Sequence, residues 1–193
     1  MAAPRKEDVK TIIMDATETL LSSHSIDNIT LAMIAGEAGI SKGTLYYHYK
    51  NKESILIDIT DRYLSDQRDQ LSIWAENEKK DTSFHRLLKY VIERNVYETG
   101  PRLHLLYNAC IGNEEVRAMI VDRYREFSSY IAKLIAKRVE GMDPNYLSWM
   151  LLLLSDGLIL QSELKTPGFD VQHFIAQTDQ YAQMLQISSN KQQ

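Results

Sequence analysis

The chain is poor in cysteine: Cys110 is the only one in 193 residues. A single thiol excludes an intramolecular disulfide and suits a reducing cytoplasm. Long apolar runs are missing too. The longest, Trp149–Leu154, is followed by Ser155, Asp156 and Gly157, far short of the roughly 20 residues a membrane-spanning helix needs. The opening MAAPRKEDVK has no apolar core, so a signal peptide is not expected. The sequence holds no G-x-S-x-G, phosphate-binding loop, H-E-x-x-H or glycine-rich dinucleotide turn, and an enzyme is not expected. His24, His48, His85, His104 and His173 are scattered without ligand spacing, and no metal or other cofactor is expected. Cations are in deficit: 22 Lys and Arg face 26 Asp and Glu, a net charge of −4. That argues against charge-driven coating of nucleic acid but leaves room for a local basic face. Strand signals, repeats and low-complexity tracts are absent.

Helix signals fill the chain instead, and a hydrophobic content of 44% suits a folded protein. Val9, Ile12, Ile13, Ala16 and Leu20 keep a 3.6-residue period, which predicts an amphipathic helix ending near Ser22–Ser25. Thr30 is placed to cap a short second helix through Ala38, with Gly39 where a C′ glycine belongs. Ser41 caps a third, and Asn51 a long fourth that runs to Trp74. Glu76–Ser83 reads as a loop and Phe84–Tyr97 as the fifth helix. Thr99–Pro101 breaks the chain, with Pro101 suited to the first turn of a sixth. Gly112–Glu115, Gly141–Pro144 and Thr166–Asp170 separate the seventh, eighth and ninth helices, Asp170 capping the last. The tail after Ile187 is polar and expected to fray.

The eighth helix is apolar nearly all round. Leu147, Met150, Leu151, Leu154 and Leu158 lie on one side, and Trp149, Leu152, Leu153, Ile159 and Leu160 cover much of the rest. Such a helix must be covered on both sides. With a ninth-helix stripe of Phe174, Ile175, Thr178, Tyr181, Ala182 and Leu185, it suits a four-helix interface between two copies. The alternative is a monomer in which the eighth helix is central; the dimer is the preferred reading.

The acidic chain keeps one basic, aromatic segment, ISKGTLYYHYKNKES (Ile40–Ser54), with no acid before Glu53. Two short helices joined by AGIS (Ala38–Ser41) fit a helix-turn-helix, whose second helix enters the DNA major groove. Lys42 can reach guanine or a phosphate, and Gly43 allows close backbone approach. Tyr46, Tyr47 and His48 can donate to phosphate oxygens, while Lys50 and Lys52 add charge. Thr30, at a helix N-terminus, offers another phosphate contact. The ordinary alternative is a solvated helical hairpin; Leu45 and Tyr49 read as core on either view.

TLAMIAGEAGISKGTLYYHYKNKESIL (Thr30–Leu56) resembles the signature of the TetR/AcrR family of bacterial transcriptional regulators. The resemblance covers about the first third of the chain and implies a nine-helix, all-α homodimer, most often a repressor released from its operator by a small molecule. Carried over by position, the DNA contacts would be Thr30, Lys42, Gly43, Thr44, Tyr46, Tyr47, His48 and Lys52. Three positions depart from the family pattern. Ser25 and Ile26 stand where glycine and an aromatic are usual, and Tyr49 where phenylalanine is commoner. The division implied is a DNA-binding domain over residues 1–54 and a helical ligand-binding and dimerisation domain over 55–193.

The expected partners are a palindromic double-stranded operator, a small effector and a second copy of the chain, in the cytoplasm and without a membrane. Trp74, Tyr90, Tyr97, His104, Tyr107, Cys110, Met119, Tyr124, Phe127, Trp149 and Asp156 are candidates to line the effector pocket among the fifth to eighth helices. Any one of them is more often plain core. Asp156 stands out as an acid within an apolar helix, suited to a cationic or hydrogen-bonding ligand, a pair across the dimer, or the watery rim of the bundle. Gly157 beside it could mark close helix packing. Cys110 has no basic neighbour in LLYNACIG and reads as inert core. Two alternatives stay open: a helical adaptor that keeps a DNA-binding head and docks a protein, and a ligand-dependent activator.

Overall fold

The structure, a computed structural model, describes residues 6–97, 102–111 and 114–190. Among them are nine α-helices and no strand: α1 Lys6–Leu21, α2 Leu31–Glu37, α3 Lys42–His48, α4 Lys52–Ala75, α5 Phe84–Tyr97, α6 Arg102–Cys110, α7 Glu114–Ala136, α8 Pro144–Glu163 and α9 Val171–Asn190. A 3-10 turn, Ile26–Asn28, precedes α2. The chain divides into two compact units, residues 1–65 with 100–121 and residues 66–99 with 122–193. The break expected at Thr99–Pro101, and Gly112 and Asn113 at the head of α7, lie outside the described residues.

The first unit is built on the predicted caps. Thr30 and Ser41 accept the backbone N–H of Met33 and Thr44 at 3.2 and 3.0 Å. Asn51 accepts that of Ser54 at 2.9 Å. Each satisfies a donor that a helix start leaves open. Gly39 takes φ +64° to close α2, a conformation that costs any L side chain. The helices meet over Ile13, Ile34, Leu45, Ile55 and Ile59, all fully buried, each worth roughly 1.5–3 kcal/mol of burial. Ile12 departs from the expected stripe and is 40% exposed; Met14, Thr17 and Leu21 are buried instead. The apolar face is rotated because α1 packs on α2.

In the second unit α5 packs against α8 and α9 around Leu87, Ile92, Ile131, Ile135, Leu151, Leu158 and Ile175. His85 on α5 lies 2.8 Å from Asp179 on α9, and a buried hydroxyl pair, Ser128 and Ser148, joins α7 to α8 at 2.9 Å. Arg138 donates to the carbonyls of Thr82, Leu134 and Ala75, the last two among the acceptors that the ends of α7 and α4 leave open. Asp143 caps α8, with Pro144 in its first turn, and Asp170 accepts the N–H of His173 at 3.0 Å to start α9. α9 runs on to Asn190, beyond the expected fraying point at Ile187.

Candidate nucleic-acid interface and effector residues

α3 is seven residues long, and its environment sorts its side chains. Leu45 is fully buried and holds the helix down. Lys42 and Gly43 are exposed, and Tyr46 and Tyr47 are 56% and 75% exposed. Thr44 and His48 are half-buried, with the Thr44 hydroxyl 2.8 Å from that of Ser41 and the His48 ring edge-on to Tyr47 at 5.2 Å. Thr30 is exposed at the head of α2. The outer side of the hairpin therefore presents one ammonium, two phenols and a bare glycine backbone, with no acid between Ser41 and Lys52. Such a face can donate hydrogen bonds to phosphate oxygens and base edges.

Two residues at the end of this segment face inward. Tyr49, 3% exposed, donates its hydroxyl to Asp58 on α4 at 2.7 Å. The same carboxylate oxygen takes the Lys10 ammonium of α1 at 2.7 Å, and that ammonium also lies 4.9 Å from the centre of the Tyr49 ring. Burial first, then the bond to Asp58 and its charge, hold the Tyr49 phenol well above its ordinary pKa. This hydroxyl is the reason a tyrosine serves where phenylalanine would pack equally well. Lys52, expected beside phosphate, turns its ammonium onto the carbonyls of Ile26, Asp27 and Ile29 at 2.8, 3.4 and 3.4 Å. One helical turn beyond Asp58, Arg62 binds Asp15 and Glu18 of α1 at 2.7 and 3.1 Å. Burial alone would lower its pKa, but those two partners raise it.

The effector candidates fall into different units. Trp74, Tyr90, Tyr97, Tyr124, Phe127, Trp149 and Asp156 belong to the second; His104, Tyr107, Cys110 and Met119 belong to the first. The side chains of Tyr97 and His104 lie outside the described residues. Trp74 and Tyr90 stack at 4.7 Å between ring centres, and both pack against the second unit's core with Tyr124 and Phe127. The Tyr124 hydroxyl reaches both oxygens of Asp156 at 3.1 Å, so this half-buried acid is tied to α7. Met119 is half-buried, while Tyr107 is 55% exposed. Cys110 is exposed, which corrects its reading as core: it is the last residue of a nine-residue helix. Among the described residues no cluster of His, Cys, Asp and Glu could hold a metal ion, and no helix is long and apolar enough to cross a membrane.

The outer side of α8 is apolar and exposed. Tyr146, Trp149, Met150, Leu153 and Leu160 are 41–67% exposed, whereas Leu147, Leu151, Leu152, Leu158 and Ile159 are buried. Gly157 lies within the outer stripe with nothing within 4 Å of where its Cβ would stand, so it marks no close packing within the chain. Tyr181 and Met184 of α9 are 61% and 51% exposed.

Comparison with known proteins agrees with this geometry. Residues 13–59 match the family described as bacterial regulatory proteins, tetR family. YhgD of Bacillus subtilis, an HTH-type transcriptional regulator, is 25% identical over 170 residues, covering 84% of this chain and 88% of that protein. The nucleoid occlusion factor SlmA of Shewanella sediminis is 26% identical over 195 residues, covering 92% and 97%. Among solved structures, a protein from Saccharomonospora viridis crystallised with choline superposes with a TM-score of 0.78 at 20% identity, covering 92% and 97%.

Proposed function

The chain belongs to the TetR family of bacterial transcriptional regulators, and from that premise we propose that it is a homodimeric repressor that leaves its operator when a small molecule binds. The observation that carries the DNA-reading part is the face of α3: Lys42, Gly43, Tyr46 and Tyr47 stand exposed, and residues 41–52 hold no acid. Residues 1–54 are the DNA-binding part in this reading, and residues 55–193 bind the effector and pair the protomers. The work is done in the cytoplasm, where DNA is, and needs no catalytic chemistry. Thr30, Lys42, Gly43, Thr44, Tyr46, Tyr47 and His48 are the contacts. Paired heads would meet half-sites about 34–36 Å apart on a palindrome.

The outer stripe of α8, with Tyr181 and Met184 of α9, supports the dimer: five large apolar side chains in a row on one helix need a cover. Trp149 belongs to that stripe and is better assigned to the partner than to the effector. Trp74, Tyr90, Tyr124, Phe127 and Asp156 support an effector site within the second unit: the four rings pack on its core, and the Tyr124 hydroxyl orients the Asp156 carboxylate. Release then requires only that the effector bind the DNA-incompetent arrangement more tightly than the competent one.

Tyr46→Ala tests the contact assignment. The exposed ring supports no core, so the fold should survive. Affinity for an operator selected from random duplexes should fall about tenfold or more by fluorescence anisotropy. Unchanged affinity would remove Tyr46 from the interface. The exposed apolar stripe of α8 would equally suit one second reading, an adaptor whose C-terminal part docks a protein. A small-molecule library that shifts the thermal midpoint and releases the operator would decide for the repressor.

A further inference from the structure

Lys52 carries a consequence for how the DNA-binding head is assembled. An ammonium has three N–H donors and no acceptor, and three carbonyl oxygens surround this one, those of Ile26, Asp27 and Ile29. They belong to the 3-10 turn at Ile26–Asn28 and to its end at Ile29. The Ile26 carbonyl also accepts the Ile29 N–H within the turn, whereas the last carbonyls of a helical turn lack such a partner. The first residue of α4 adds its ammonium to all three across 23–26 residues of sequence. Ser25, which opens the turn, makes no side-chain cap of its own. Ile26 is buried and anchors the turn from below; Lys52 closes it from the side. Thr30, which caps α2, follows Ile29 directly. Lys42 and Lys50 are exposed, whereas Lys52 is half-buried.

Resting on the DNA-binding reading above, we propose that Lys52 is a positioning residue and not a phosphate contact: its ammonium fixes the turn that delivers Thr30 and the N-terminus of α2 to DNA. Handing the ammonium to a phosphate would take a donor from three carbonyls at the moment of binding, of which only that of Ile26 keeps a backbone N–H within the turn, from Ile29. The charge therefore stays inside the head in both the free and the bound protein. The head places α2 through a side chain, at the point where Ser25 and Ile26 supply no glycine to shape the backbone.

The test is a salt series on the full-length dimer with an operator selected from a random duplex pool. The wild type comes first: no selective, salt-steep binding would overturn the DNA-binding reading itself, whatever Lys52 does. Lys42→Gln, at an exposed position on α3, should flatten the slope of log affinity against log salt by about 0.9 for each phosphate left unneutralised, near 2 for a dimer. Lys52→Gln should leave that slope within about 0.3 of wild type. It should weaken operator binding about tenfold and leave binding to random-sequence duplex unchanged. A slope falling by about 2, with operator and random duplex weakened alike, would make Lys52 a phosphate contact. Undiminished operator affinity in the folded variant would leave it a purely structural residue. Either result overturns the proposal. Should Lys52→Gln not fold, reductive methylation of the wild type decides. Lys52 should react far more slowly than Lys42 and Lys50 in free protein, at a rate that DNA does not change. Fast reaction when free, with protection only on DNA, would overturn it.

Discussion

Tyr49 shows how one oxygen atom alters a local structure. Its ring fills a core site that phenylalanine would fill as well, and its hydroxyl adds a bond to Asp58, which also holds Lys10. Removing the oxygen with Tyr49→Phe should cost about 1–2 kcal/mol near neutral pH, the scale of a hydrogen bond to a charged group. The pH dependence is the sharper signature. The phenol is raised above its ordinary value of 10.0 in the folded chain, so above that value the unfolded chain loses a proton the folded chain keeps. The contribution is fully present below about pH 10 and is lost as pH rises through the folded value. Urea unfolding at pH 7 and at about pH 11 should show wild-type stability falling further than that of the variant. Parallel losses would detach the alkaline arm from Tyr49.

Helices α2 and α3 show what a sequence says at the scale of an element. Their starts at Thr30 and Ser41 and the turn at Gly39 were readable because caps and positive-φ turns are local: cap and capped N–H lie three residues apart. The two glycines near that turn make a contrast. Gly39 stands at φ +64° with open space around it, so Gly39→Ala meets no clash but must hold a left-handed backbone, at about 1–2 kcal/mol. Gly36 lies in ordinary helix, also in open space, and Gly36→Ala should stabilise by up to about 1 kcal/mol. Thermal midpoints of the two variants should therefore move in opposite directions. What was not readable is long-range: the Lys52 carbonyl cluster, the Asp58 cluster and the Arg62 pairs join residues 9 to 48 apart. Charge and spacing alone mark Lys52 as one more cation for phosphate. The tyrosine at 49 was the single hint that a polar partner waited nearby. The effector candidates were the least legible part, because an aromatic at helical spacing serves a core and a pocket equally until burial is known. Trp149 and Cys110 illustrate it, both outside where core was expected.

For the whole molecule, the deciding surface is the outer side of α8. Leu153, at 67% exposure its most open leucine, is no member of its unit's core cluster. Leu153→Glu should leave the protomer folded while placing two carboxylates against each other in the proposed pair. Sedimentation should report a dimer for the wild type and a monomer for the variant, and operator affinity should fall at least tenfold with loss of the second head. A variant that stays dimeric would move the interface elsewhere.

In the proposed pair, that same stripe ties the protein's behaviour to its own abundance. If each protomer must cover α8 with a second copy before two heads can reach a palindrome, then at low levels the competent species grows with the square of protomer concentration. Thermal stability would rise with concentration for the same reason. Operator occupancy would then respond to gene dosage more steeply than a one-headed binder could, a threshold created by five exposed side chains far in sequence from any that touch DNA.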